Sequence, residues 1–341
     1  MITNKAFSIG DTIVKPGQRE NINLPVAHLY TSTPLSMPVQ VICGRREGPV
    51  LFVSAAIHGD ELNGVEVIRR LLRLKILRSV RGTLVAVPIV NVHGFLNQSR
   101  YLPDRRDLNR SFPGSAKGSI ASRLANTFFT EIVSKADFGI DLHTGAINRT
   151  NLPQIRGNLD DEKTMELANS FGVPVIVNAN IRDSSLRSCV VDQGVPVLIY
   201  EAGEALRFDE ISIRAGLRGI LNVMRLTGML PPKRTGKGAG RKQVKPVLAR
   251  TTRWVRAPAS GIFNTSVSLG SSVTKGQHVG AINDPMGDTA ESMVAPFDGI
   301  VIGRSNLPLA HEGDALFNIA AFSSVSRAED LVEEFTSELD D

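Results

Sequence analysis

Hydrophobic positions along the first two thirds of the chain follow two different periods. Runs rich in β-branched residues at 38–43, 49–57, 82–90, 138–142, 173–177 and 195–200 predict strands. Between them, 62–74, 120–136 and 210–225 carry apolar residues at helical spacing, with Val65, Ile68, Leu71 and Leu72 on one face of the first. Strands alternating with helices predict an α/β fold, a mixed and largely parallel sheet flanked by helices. In such sheets chemistry gathers in the loops beyond strand ends. His58, His143 and Glu201 each follow an apolar strand directly.

The pattern changes near residue 250. From there to about 320 the chain has short apolar runs broken by Gly and Pro, and no helical period. A repeat is visible: APASGI at 257–262 returns as APFDGI at 295–300, and each copy is followed by a Leu-turn-Gly element, LGSSVTKG at 269 and LAHEGD at 309. Two similar units in one small domain predict a pseudo-twofold β-sandwich or flattened barrel, which resembles a lipoyl or biotinyl carrier domain. Carrier domains are modified on a hairpin lysine. No lysine follows Lys275, and the hairpin between the repeats reads DPMGD at 284–288, so a structural, lid-forming or oligomer-contact role is expected here. The organisation read from these patterns is a catalytic domain at 1–230, a basic linker at 231–249, the β domain at 250–322 and an acidic tail at 323–341. In the tail, Leu331, Val332, Phe335 and Leu339 would form a helical stripe.

Charge narrows the function classes. The net charge is +5, yet Lys233, Arg234, Lys237, Arg241, Lys242 and Lys245 stand in one short segment without an acidic residue. These six charges exceed the whole excess. The remainder is close to neutral, and a nucleic-acid partner is not expected. Apolar residues make up 42% and charged residues 21%, as in ordinary globular proteins, and no uncharged apolar stretch is long enough to predict a membrane span. The two cysteines, Cys43 and Cys189, are far apart and form no disulfide framework, which with the absence of a signal-like N-terminus predicts a cytoplasmic location.

The candidate chemistry begins at HGDE (58–61). His58 and Glu61 are three residues apart between a strand and a helix, a spacing that brings both to one side. With His143 of DLHTG (141–145) they make two imidazoles and one carboxylate, a set that suits one Zn2+ per chain with a further position for water. Neutral imidazoles add no charge, so the cation keeps its power to polarise a carbonyl and acidify water. Asp141, two residues before His143 on an extended strand, would face the same way and orient an imidazole. DLNRSFPG (107–114), preceded by Arg100, supplies guanidinium groups suited to carboxylates. Glu201, in YEAG (200–203), places a carboxylate at the end of a buried strand, a costly position without a role or partner, and a glutamate near an activated water is a natural general base.

HGDE, DLNRSFPG, DLHTG and YEAG, in this order, resemble the succinylglutamate desuccinylase/aspartoacylase family of the zinc carboxypeptidase-like superfamily, over roughly residues 35 to 225. The resemblance implies that His58, Glu61 and His143 bind zinc and that Glu201 activates the water. It implies that Asn109 and Arg110 grip a substrate carboxylate, and that an arginine upstream polarises the scissile carbonyl. Arg100 is the candidate for that last role, with Arg105 and Arg106 open. It further implies that Arg187 contacts the acyl group or carboxylate. The implied activity is hydrolysis of the amide bond of a small N-acyl amino acid. A peptide-cleaving zinc carboxypeptidase and a non-catalytic small-molecule binding protein are the alternatives.

Overall fold

The computed structural model describes residues 2–179, 183–191, 193–233 and 245–340. Most of the basic linker, 234–244, lies outside them. One long sheet organises the chain. At its centre the strands Arg81–Val87, Arg46–Ala55, Phe138–Gly145 and Val197–Glu204 lie side by side and parallel. Phe138–Gly145 is buried along its whole length, as a strand covered on both faces must be. Beyond Arg81–Val87 the sheet ends in two antiparallel strands, Pro34–Cys43 and Arg19–His28.

Each face has its own apolar layer. Helices Asn63–Leu72, Glu162–Phe171 and Glu210–Leu226 pack Ile68, Leu71, Phe171, Ile220 and Val223 against Leu51, Val53, Ile140 and Leu198. On the other face, Ile120–Glu131 packs Leu124 and Phe128 against Phe52, Met37 and Val85. The helical and strand periods of the sequence thus meet in one sandwich of layers.

On its other side the sheet does not stop at the N-terminal α/β half. Val197–Glu204 pairs antiparallel with Arg149–Gly157, a strand absent from the apolar pattern of the sequence. That strand pairs in turn with Gly299–Ser305, and the sheet continues through Ala315–Ala321 to Thr251–Arg256. A second sheet, ordered Ala290–Val294, His278–Asn283, Gly261–Thr265, Leu309–Ala310, covers this end across Phe263, Val279, Met293 and Phe317. The repeat folds reciprocally. Ala257 exchanges backbone hydrogen bonds with Gly313 and Asp314 of the second Leu-turn-Gly element, and Ala295 does so with Gly276 and Gln277 around the first. Gly276 and Gly313 are both left-handed, at φ 82° and 85°.

One stretch, and one residue of the C-terminal helix, differ from their sequence reading. Val247–Ala249, at the end of the segment read as linker, is a strand that pairs parallel with Val175–Asn178. The acidic tail is the helix Val325–Asp340. Its buried stripe is Ala328, Val332, Phe335 and Leu339, with Leu331 only partly buried, because the helix is clamped between the sheet edge and Glu210–Leu226. No described helix is long and apolar enough to cross a membrane.

Candidate active site

The strand Arg46–Ala55 ends at a left-handed Ala56, φ 52°, which turns the chain off the sheet just before His58. The Glu61 amide then donates to the His58 carbonyl at 3.1 Å. His58 and Glu61 are therefore joined by a tight turn ahead of the helix, which begins only at Asn63. Gly59 has a steric cause: a Cβ there would lie 1.9 Å from the carbonyl carbon of Gly94. His143 and Glu201 sit inside their strands, which run on past the ends predicted from sequence, and they are direct neighbours in parallel register.

The three predicted metal ligands converge. His58 Nδ1 lies 2.8 Å from Glu61 Oε1, and His143 Nδ1 lies 2.9 Å from Glu61 Oε2. One donor atom from each of the three falls within 4.8 Å of the others, and all three residues are buried. Each imidazole has its second nitrogen on a carboxylate, His58 Nε2 on Asp107 at 3.1 Å and His143 Nε2 on Asp141 at 2.8 Å. Ser54 Oγ donates to the other Asp141 oxygen at 2.8 Å. These outer carboxylates direct both Nδ1 atoms at one point, which is how a histidine pair is set for a metal. Two nitrogens and one carboxylate so spaced fit zinc.

Charge is concentrated here. Burial alone would raise the Glu61 carboxyl, but the His58 and His143 imidazoles outweigh it and hold the group far below the ordinary carboxylate range. Burial would likewise lower both imidazoles. Glu61 and Asp107 overcome it at His58, and Asp141 and Glu61 at His143, so both are raised. Burial and the neighbouring Glu61 raise the Asp60 carboxyl.

All the other predicted site residues border the same cavity of about 600 Å³, lined by Arg100, Asn109, Arg110, Arg187 and Glu201 together with His58, Glu61 and His143. Arg100 reaches Glu61 at 3.4 Å and Asp107 at 3.0 Å. Arg105 and Arg106 are exposed, and neither is among the described residues that line the cavity. Asn109 accepts the Leu186 amide on its side-chain oxygen at 3.0 Å, tying the DLNR loop to the short helix that carries Arg187. Arg187 donates to the Ala179 carbonyl at 3.2 Å. Asn151 donates its amide to Glu201 Oε2 at 2.9 Å.

Several lining or supporting residues were not singled out from sequence. Asp107 had no role in the sequence reading of its loop, although the symmetry of the ligand set signals it: with Asp141 beside one histidine, the other needs an equivalent acceptor. Asn151 and Arg156 lie on the unpredicted strand Arg149–Gly157, and Thr251, Thr252, Trp254 and Asn318 come from the C-terminal domain, which forms one wall of the cavity.

Over 313 residues the chain is 25% identical to the N-alpha-acetyl-L-2,4-diaminobutyric acid deacetylase of Halomonas elongata, covering 88% of this chain and 90% of that one. A crystal structure of a succinylglutamate desuccinylase/aspartoacylase from Rhodobacter sphaeroides superposes with a TM-score of 0.79 at 28% identity, over 89% of this chain and 96% of that one. The product-bound ectoine utilization protein EutE (DoeB) from Ruegeria pomeroyi shares the fold, with a TM-score of 0.81 at 23% identity over 92% and 98% of the two chains. The family model of the succinylglutamate desuccinylase/aspartoacylase catalytic domain matches residues 47–227, more than half of the sequence, and the chain belongs to that family.

Proposed function

We propose that the protein is a zinc-dependent deacylase that hydrolyses the amide bond of a small N-acyl amino acid. The observation that carries this reading is the convergence in one cavity of the His58–Glu61–His143 donor set, the Glu201 carboxylate and several guanidinium groups. The Halomonas relative, named as a deacetylase of an N-acetyl amino acid, supports the bond class. The cavity volume, in the range of small-molecule sites, supports a short substrate over an extended peptide.

In this reading His58, Glu61 and His143 would hold one zinc ion, which when bound supplies Lewis-acid chemistry, polarising a carbonyl and acidifying water. Glu201 takes the proton of the attacking water as general base. Asn151 holds Oε2 of Glu201 and so presents Oε1 to the water. As the water oxygen bonds to the amide carbon, negative charge grows on the carbonyl oxygen, and the Arg100 guanidinium donates to it. Glu201 returns the proton to nitrogen as the carbon–nitrogen bond breaks, releasing a carboxylic acid and an amino acid. Asn109 and Arg110 hold the substrate carboxylate, and Arg187 borders the acyl portion.

The test is metal analysis and turnover of N-acyl amino acids, beside a peptide series, on protein purified without added metal and on His143→Ala. About one zinc per chain, lost in the variant together with deacylation, is the expected result. Zinc-replete protein that cleaves peptides and no N-acyl amino acid would make it a carboxypeptidase. Zinc-replete protein that cleaves neither would make it a binding protein.

A further inference from the structure

The C-terminal domain reaches Glu201 through one glycine. Gly303 pairs with Asn151, the residue whose carboxamide donates to Glu201 Oε2 at 2.9 Å. On its other side Gly303 pairs with Asn318, which pairs in turn with Trp254. Asn151 and Asn318 therefore stand in one row, separated by a strand position that carries no side chain. The backbone at 303 does not require glycine, since it is not in the left-handed region. What the glycine supplies is room. A Cβ there would lie 3.0 Å from Asn151 Oδ1, 3.3 Å from Asn318 Cβ and 3.6 Å from Trp254 Cη2.

That room decides how the Asn151 carboxamide is turned. Among the described residues its bond to Glu201 is the side chain's one hydrogen bond. The nitrogen faces Glu201 while the oxygen faces Gly303. Packing alone therefore limits rotation of the amide at its oxygen end. Asn318, 1% exposed, has no space into which to retreat. A methyl group at 303 would sit closer to the Asn151 oxygen than the ordinary contact of about 3.5 Å, and turning the amide is the easiest relief. The strand is tied at the same place a second time. Ile302 is the extra residue of a β-bulge, since Val301 and Gly303 oppose the consecutive residues Ile319 and Asn318. Gln154, the register partner of Glu201, donates its amide to the Ile302 carbonyl at 3.2 Å. A bulge bends its strand and re-aims the positions around it. The register partner of Glu201 and its hydrogen-bond donor are thus both seated on this two-residue step of the C-terminal domain.

We propose that Gly303 is a positioning residue for the Glu201 carboxylate: the C-terminal domain leaves an empty place at 303 into which the Asn151 oxygen turns, and so fixes the hydrogen bond that presents Glu201 Oε1 to the attacking water. This rests on the deacylase reading above. It gives the C-terminal domain a part in the reaction beyond walling the cavity, exerted through a side chain that is absent. Neither Gly303 nor Asn151 is among the described residues that line the cavity, so the effect falls on turnover and not on substrate affinity. Asn318 and Trp254 do line it, and a substitution that acted through them would change affinity instead.

The experiment compares the full-length wild type with Gly303→Ala, Gly303→Val, Asn151→Ala and the double variant Asn151→Ala/Gly303→Ala, after their thermal midpoints show that each is folded. kcat and KM are measured on the N-acyl amino acid that the wild type turns over fastest. Crystal structures of the wild type and Gly303→Ala give the Asn151–Glu201 distance independently of turnover. Gly303→Ala should lower kcat about threefold to tenfold with KM unchanged, and should carry Asn151 Nδ2 out of hydrogen-bond reach of Glu201. Gly303→Val should lose as much as Asn151→Ala; if it does not fold, Gly303→Ala carries the test alone. In the Asn151→Ala background the crowded oxygen is gone, and Gly303→Ala should lower kcat no further, the mark of two residues acting through one contact. A loss that multiplies with that of Asn151→Ala, a change confined to KM, or a Gly303→Ala protein with wild-type kcat and an intact hydrogen bond overturns the proposal. A wild type without turnover discards the deacylase reading, and the two crystal structures then decide the positioning role by themselves: a displaced amide keeps it and an unmoved one removes it.

Discussion

His143 and Glu201 stand opposite each other on adjacent parallel strands. The two groups whose separation matters most to the proposed reaction, a metal-directed imidazole and a base, are thus fixed by the sheet's own spacing of about 4.8 Å and not by a loop. A base held at that distance acts on the same small volume as the metal donors without being one of them. Glu201→Gln keeps the shape and removes the acceptor. It should retain metal at the wild-type level and lose about 100-fold to 10,000-fold in kcat. Metal content and kcat measured on the same preparation decide the matter, and a variant with full turnover removes Glu201 from the mechanism.

Asn151 reaches Glu201 from the next strand, where it pairs with Gly203. Its strand pairs with the Glu201 strand on one side and with Gly299–Ser305 of the C-terminal domain on the other, so the Glu201 carboxylate is held by a residue wedged between the two halves. Asn151→Ala should lower kcat about tenfold with little change in KM, since the carboxylate stays but its orientation loosens. An equal fall in affinity for a non-hydrolysed substrate analogue would instead mean that the strand itself had moved.

What the residues disclosed in advance follows from what each strand faces. His58, His143 and Glu201 were legible because they interrupt or end apolar, β-branched runs that pack into the two core layers. Arg149–Gly157 was not, because Asn151, Gln154 and Arg156 replace the apolar residues of an ordinary core strand and Pro153 breaks the pattern further. A cavity-facing strand resembles a loop in hydrophobicity. Asp107 escaped for another reason. Its role depends on which imidazole lies beside it, a long-range relation between residues 58 and 107 that no local period encodes. The three-residue strand Val247–Ala249 likewise exists only through its pairing with Val175–Asn178.

The C-terminal helix contributes to stability through Phe335. Its ring is 6% exposed, joins the apolar layer beneath Glu210–Leu226, and has the Arg218 guanidinium 5.3 Å from its centre. Phe335→Ala should cost about 3 to 5 kcal/mol of unfolding free energy. Leu331→Ala, at a partly buried position, should cost much less. Urea unfolding of the two variants side by side checks the difference, and equal losses would contradict the packing of this helix.

Metal affinity should depend steeply on pH. In the metal-free site Glu61 and Asp107 raise His58, and Asp141 and Glu61 raise His143, so both imidazoles keep a proton above the ordinary histidine range. A zinc ion needs the Nδ1 lone pair of each and must displace those protons. The sign follows: affinity rises with pH while either imidazole is still protonated, and levels off once both are neutral. Where both carry protons the dependence approaches about 100-fold per pH unit, one proton for each histidine. Asp141→Asn removes the charge that raises His143 and also its orienting acceptor. It should weaken zinc binding about 10- to 100-fold at high pH, and should show a shallower slope because one proton competes less. Competition against a chromophoric chelator from about pH 6 to about pH 8, a range that spans the ordinary histidine value, measures both quantities. A zinc affinity that does not change with pH in the wild type would show that these two imidazoles are not the ligands.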